Sequence, residues 1–224
     1  MRSVFPATDP FGSFARLLAA GLTSGIVASV PYAVARRAWI EPLLRQAETF
    51  ETGGGAYSTE LPLLSGWLGA FLTNAVAGTA LGLLLAAAVT IRGRALDWRR
   101  GILWGLAGFT VFSLLPALTL PVGLPGFESA PLHVRQAWWG LSVLGGEAGL
   151  AVLVWKPGPF AKTAGVLLDL AAPIASALFW ETAEPTPEVR EIQLAFAGNW
   201  LAASAMFWIV IGGIQGLMAR RISR

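Results

Sequence analysis

Six stretches of the chain, at about 14–36, 64–91, 101–121, 134–155, 163–180 and 192–218, are apolar almost throughout. At a rise of ~1.5 Å per residue, such a run crosses a hydrocarbon layer of ~30 Å as one α-helix. The fifth is barely long enough. The expected fold is all-α: a polytopic membrane helical bundle of about six transmembrane helices, with residues 1–224 forming a single integral membrane domain. Met1 to Phe14 is polar and lacks the basic start, short apolar core and small-residue cleavage site of a removable signal, so the first span is expected to stay in place. Gly53, Gly54 and Gly55 mark a flexible connection between the first two spans. Glu181 to Glu191, with Pro185 and Pro187, forms an acid-rich connection before the last.

Composition agrees with the pattern. Hydrophobic residues make up 55% of the 224, charged residues 13%, and the mean hydropathy is +0.62; soluble domains carry roughly 25% charge. Cysteine is absent, which excludes a disulfide framework, a thiolate metal site and a thiol nucleophile. His133 is the single histidine. The pI of about 9.9 does not point to nucleic acid, because the basic residues flank apolar runs instead of lining one face of a domain. No HExxH, GxSxG or Walker A pattern occurs, so no familiar enzyme chemistry is expected.

The basic residues also set a direction. Arg2, Arg16, Arg92, Arg94, Arg99, Arg100, Lys156, Lys162, Arg220, Arg221 and Arg224 fall on one side of the six crossings, eleven of the sixteen in the chain. The cytoplasmic side holds such an excess, so both termini are expected there. Most acids fall on the other side: Glu41, Glu48, Glu51, Glu60, Glu128, Glu181, Glu184, Glu188 and Glu191. They read either as an outer vestibule whose field gathers cations or as ordinary solvated loop residues.

Glu147 and Asp169 are the two acids expected inside the hydrocarbon, where an uncompensated charge is costly. Their spans run in opposite directions, which places both ~10 to 12 Å from the cytoplasmic edge. Pro173 frees the carbonyl four residues back, that of Asp169, adding a polar spot. The pair reads as a site handling a proton or a cation, or as neutral acids bonded to neighbouring helices. Asn74 and Asn199 are expected to hydrogen-bond between helices. Five glycine pairs have GxxxG spacing (21/25, 78/82, 101/105, 145/149 and 212/216) and read as packing. Tryptophans near span ends, among them Trp98, Trp139 and Trp155, read as interfacial anchors, and the deeper Trp104 and Trp208 as helix contacts.

From Trp98 to Trp139 the chain resembles the CbtA family, predicted cobalt transporter subunits of bacteria. The likeness lies in Trp98, Arg99, Arg100 and Gly101, in Leu103 to Phe109, in Phe112, Ser113, Leu114 and Pro116, in Leu120, Pro121, Leu124, Pro125 and Gly126, and in Arg135, Gln136, Trp138 and Trp139. Pro42, Glu48 and Glu51 match after the first span, and Asn199, Phe207, Trp208, Gly212, Gly216 and Arg220 match in the last. The resemblance implies a small multi-span protein of the bacterial inner membrane that works with a short histidine-bearing partner, CbtB. Two positions depart from the family pattern: Gly123 stands where an acid is usual, and Ile174 follows Pro173 where a histidine is usual. The remaining carboxylates and lone imidazole form a poor cobalt-selective set.

The expected function is therefore a membrane subunit of a divalent-cation (cobalt) uptake system. Glu48, Glu51, Glu128 and His133 would attract the ion outside, and Glu147 and Asp169 would receive it near the inner side. Cobalt enters as cargo, with no resident metal or cofactor assigned. The expected partners are lipids and other membrane subunits. The competing expectation is a non-transporting accessory subunit of a photosynthetic or respiratory complex, in which His133 at most ligates a pigment. A lipid- or pigment-handling protein without an ion path has no supporting motif.

Overall fold

Prolines shape the long helices. In the computed structural model, α1 (Phe14–Ala35) continues through a π-helical turn, Arg36–Ile40, into α2 (Glu41–Glu48). The third crossing has the same build: α4 (Trp98–Phe109), a π-helical turn Thr110–Leu114, then α5 (Leu115–Thr119). Each π turn ends two residues before a proline, Pro42 or Pro116. A proline supplies no N–H and its ring crowds the carbonyl four residues back, so a widened turn just upstream lets the helix continue. The other helices are α3 (Trp67–Arg92), α6 (Leu132–Trp155), α7 (Pro159–Phe179) and α8 (Pro187–Ile222). The structure describes residues 14–48, 50, 67–120, 122–124, 130–179 and 186–222, without the side chains of 48, 67, 70 and 220–222. Among the described residues there is no strand.

Six helical segments are long and apolar enough to cross a membrane: Phe14–Ala47, Phe71–Arg92, Trp98–Thr119, Leu132–Trp155, Pro159–Phe179 and Pro187–Ala219. All six expected spans are present. The first continues to residue 47 instead of stopping near 36, and the fifth begins at Pro159, giving it 21 residues. The side-chain distribution is that of a helix bundle in lipid. Small residues face inward, as in the buried α1 stripe Ala20, Gly21, Ser24, Gly25 and Ala28. Large aliphatic and aromatic residues face outward, with Val76 and Ile91 74% exposed and Phe160 86%.

The chain divides into two compact units. The first holds α1, α3, α4 and the C-terminal part of α8. Here the sequence's GxxxG pairs meet one another: Gly25 lies against the backbone of Gly78 and Thr79, and Gly82 against the carbonyl of Gly21. Likewise Gly101 abuts Gly212, and Gly105 the carbonyl of Trp208. A Cβ at any of these positions would collide with backbone, which cannot move aside. Leu17, Ala20, Ala86, Val89, Leu96 and Ala219 form an apolar cluster packed by Leu83, Trp104 and Met218. The Asp97 carboxylate caps α4, accepting the N–H of Arg99 at 2.9 Å and of Arg100 at 3.0 Å. Arg99 stacks over Trp98 at 5.2 Å.

The second unit holds α2, the π turn before α5, α5, α6, α7 and the N-terminal part of α8. Its helices α6 and α7 meet along Gly145, Gly149 and Gly165. Asn199 Nδ2 donates to the Trp39 carbonyl of the first π turn at 3.0 Å.

Candidate functional site

In the second unit, oxygen-bearing side chains collect where α6 and α7 pack together. Asp169 is residue 11 of the 21 in α7, so it lies ~15 Å from either helix end. It is half-buried, and its Oδ1 is fully buried with no hydrogen-bond partner among the described residues. That oxygen lies against Gly149 of α6, where a Cβ would fall 2.7 Å from the Asp169 Cγ. The bare glycine is what admits the carboxylate between the helices. Pro173 stands inside α7 and cannot donate to the Asp169 carbonyl, which supplies a second oxygen beside the side chain.

A second polar level lies seven residues away on both helices, two turns or ~10 Å along the same face. There the buried hydroxyls of Ser142 and Thr119 are 2.6 Å apart, and the Ser176 hydroxyl donates to the Thr119 carbonyl. Ser142 also bonds the Trp138 carbonyl at 2.8 Å, and Thr119 the Leu115 carbonyl at 2.9 Å. The seam between α6 and α7 thus carries a carboxylate with a freed carbonyl at one level and three hydroxyls at the next. All its donors are oxygens.

Glu147 does not face this seam. It sits two residues, about 200° around α6, from Gly149, and it is exposed. The two acids therefore do not share a face, and α7 begins four residues earlier than the sequence suggests, placing Asp169 at mid-helix. His133 is exposed at the start of α6. Glu51 and Glu128 lie outside the described residues, as do Gly53 to Gly55, Glu181 and Glu184, and the Glu48 side chain is not described. Asn74 Nδ2 is buried without a partner among the described residues. No group of three or more His, Cys, Asp or Glu side chains able to hold a metal occurs among the described residues.

In the first unit, Gln215 is wholly buried where α1, α3 and α8 meet. Its Nε2 donates to the Gly82 carbonyl at 2.7 Å and to Ser24 Oγ at 3.1 Å. The Ser24 hydroxyl donates in turn to the Gly21 carbonyl at 3.1 Å. Gln215 locks α8 onto the glycine crossing, and sequence reading missed it. A glutamine one turn from basic residues at a span end gives no signal that separates it from an interfacial side chain.

Compared with known families, residues 14–220 match the CbtA family model, described as a probable cobalt transporter subunit. The chain belongs to the CbtA family. No curated protein and no solved structure matches it. The CbtA match covers all six crossings, including the seam and the Gln215 junction.

Proposed function

We propose that this CbtA protein is the membrane subunit of a divalent-cation uptake system, with cobalt as its cargo, and that the ion passes along the seam between α6 and α7 by way of Asp169. One observation carries the reading: a carboxylate at mid-helix presents a buried, unpartnered oxygen beside a glycine in the helix packed against it. An acid at that depth is retained at a cost that function explains. A carboxylate with a freed carbonyl at one level, and three hydroxyls at a second level ~10 Å away, would each hold a divalent ion weakly. A conducting path requires this, because the ion must leave as readily as it enters. Glu48, Glu51, Glu128 and His133 belong to the outer, acidic side, whose field raises the local cation concentration. Both termini lie in the cytoplasm of a bacterial cell, and selectivity for cobalt over other divalent ions comes from a partner subunit.

Cobalt accumulation by membrane vesicles tests this. Asp169→Asn is expected to lower uptake about tenfold or more, equivalent to ~1.4 kcal/mol or more of lost ion stabilisation. Ser142→Ala should give a smaller decrease. Wild-type uptake in an Asp169→Asn protein present at normal level removes Asp169 from the path. The lack of a three-ligand metal group among the described residues favours a second reading, an accessory subunit that moves no ion. Under that reading the chain migrates with a large membrane complex and uptake ignores both substitutions.

A further inference from the structure

The link between α3 and α4 concentrates positive charge. Residues 92–100 hold four arginines, Arg92, Arg94, Arg99 and Arg100, against one acid, Asp97. Alternation of the six crossings puts this link on the same side of the membrane as the start of α1 and the end of α8. The acidic side chains on that side are Asp9 and Asp97 alone, and the Asp97 carboxylate is engaged by the start of α4. The second unit reaches this side only through residues 156–158 between α6 and α7, which carry Lys156 and no acid. Arg92, Arg94 and Arg99 thus outnumber any acid that the chain can bring to them, since only Asp9, outside the described residues, remains. Among the described residues no carboxylate pairs with any of the three.

The link is also held in place. Gly93, at φ 63°, turns the chain out of α3, and its N–H bonds the Thr90 carbonyl at 3.0 Å. Leu96 is buried in the apolar cluster with Leu17, Ala86 and Ala219. Arg100 donates from one terminal nitrogen to the Ala95 carbonyl at 2.8 Å, closing the link on itself. The backbone that carries the guanidiniums is therefore ordered before a ligand arrives, which lowers the entropic cost of binding. Toward mid-membrane the chain turns aliphatic at once: Ile91 precedes Arg92, and Leu103 and Leu106 follow Arg99 at spacings of four and three on one face of α4.

We infer that Arg92, Arg94 and Arg99 form a binding site for the phosphate headgroup of an anionic membrane lipid, whose acyl chains run into the bilayer from it. A guanidinium pairs with phosphate through two parallel N–H donors, and basic pockets at helix ends take anionic lipid heads in this way. The pattern selects the occupant. Soluble phosphate has no apolar half to match the aliphatic residues, and a zwitterionic lipid sets its own cation against the arginines. The α4 N-terminus is not the site, because Asp97 already takes its first N–H groups. The inference does not depend on Asp169 or on ion passage, so uptake and lipid binding can fail separately.

The test is melting of the full chain in detergent, where no bilayer imposes a threading, titrated with phosphatidylglycerol, with phosphatidylcholine or with inorganic phosphate. Phosphatidylglycerol should raise the wild-type midpoint to a plateau, and the other two should leave it nearly unmoved. The combined substitution Arg92→Gln, Arg94→Gln and Arg99→Gln should melt near the wild type without lipid and weaken the phosphatidylglycerol response roughly tenfold or more in concentration. Lys156→Gln with Lys162→Gln, which removes charge from the same side but outside the link, should keep the wild-type response. An equal response to phosphatidylcholine or to inorganic phosphate overturns the proposal. So does a response unchanged by the arginine substitutions, or one weakened as much by the lysine pair, which would mark diffuse attraction in place of a site. If the triple variant fails to fold, Arg94→Gln alone, at an exposed position in the link, should weaken the response several-fold, and no change there counts equally against the site.

Discussion

Asp97 shows how one side chain fixes a helix start. The backbone N–H of Arg100 holds its carboxyl below the ordinary value of 3.8, with smaller help from the Arg99 N–H and the two guanidinium charges, against some desolvation. Because the folded-state value is depressed, the cap's contribution is complete above the ordinary value and lost as pH falls through the lowered one. Carboxyl NMR titration should therefore place the Asp97 midpoint below 3.8. Asp97→Asn should keep the helix start that Asp97→Ala frays. Gln215 is the opposite case, a wholly buried amide bonded to two other helices. Gln215→Ala removes both bonds and leaves a void, and should cost about 2–4 kcal/mol in detergent unfolding. The intramembrane acids were legible because a carboxylate in an apolar run stands out. The hydroxyl level was not, since Thr119, Ser142 and Ser176 come from three helices and each is unremarkable in its own.

Among the elements, glycine pairs carry the packing. The sequence shows five pairs but cannot say which of them meet, because composition alone produces such spacings in a glycine- and alanine-rich chain. The structure pairs 21/25 with 78/82 and 101/105 with 212/216. Gly25→Leu should therefore destabilise the protein by about 3 kcal/mol or more, since the added side chain meets fixed backbone. Gly140→Ala, directed into open space, should be neutral or gain up to ~1 kcal/mol from helix propensity in the isolated chain. Thermal melting of the two variants side by side checks the contrast. Helix count and approximate span edges were readable from hydropathy. The continuation of the first helix to residue 47 was not, because Arg36, Arg37, Glu41 and Pro42 look like an exit from the membrane and a break. A π turn absorbs the proline instead.

For the whole molecule, the proposed threading rests on charge asymmetry, and the cysteine-free chain suits single-cysteine labelling that tests it. With both termini in the cytoplasm, an impermeant thiol reagent applied outside intact cells should label Thr186→Cys and spare Arg94→Cys. Labelling of both, or the reverse pattern, would refute that orientation. Whether Asp169 meets the ion is decided most directly by cobalt-dependent melting of the purified chain. Binding to the folded state adds about 2.7 kcal/mol of stability at a free ion concentration one hundred times Kd. The wild-type midpoint should rise with added cobalt and the Asp169→Asn midpoint should stay where it is. Equal shifts in the two proteins, or none in either, would mean that Asp169 does not hold the ion.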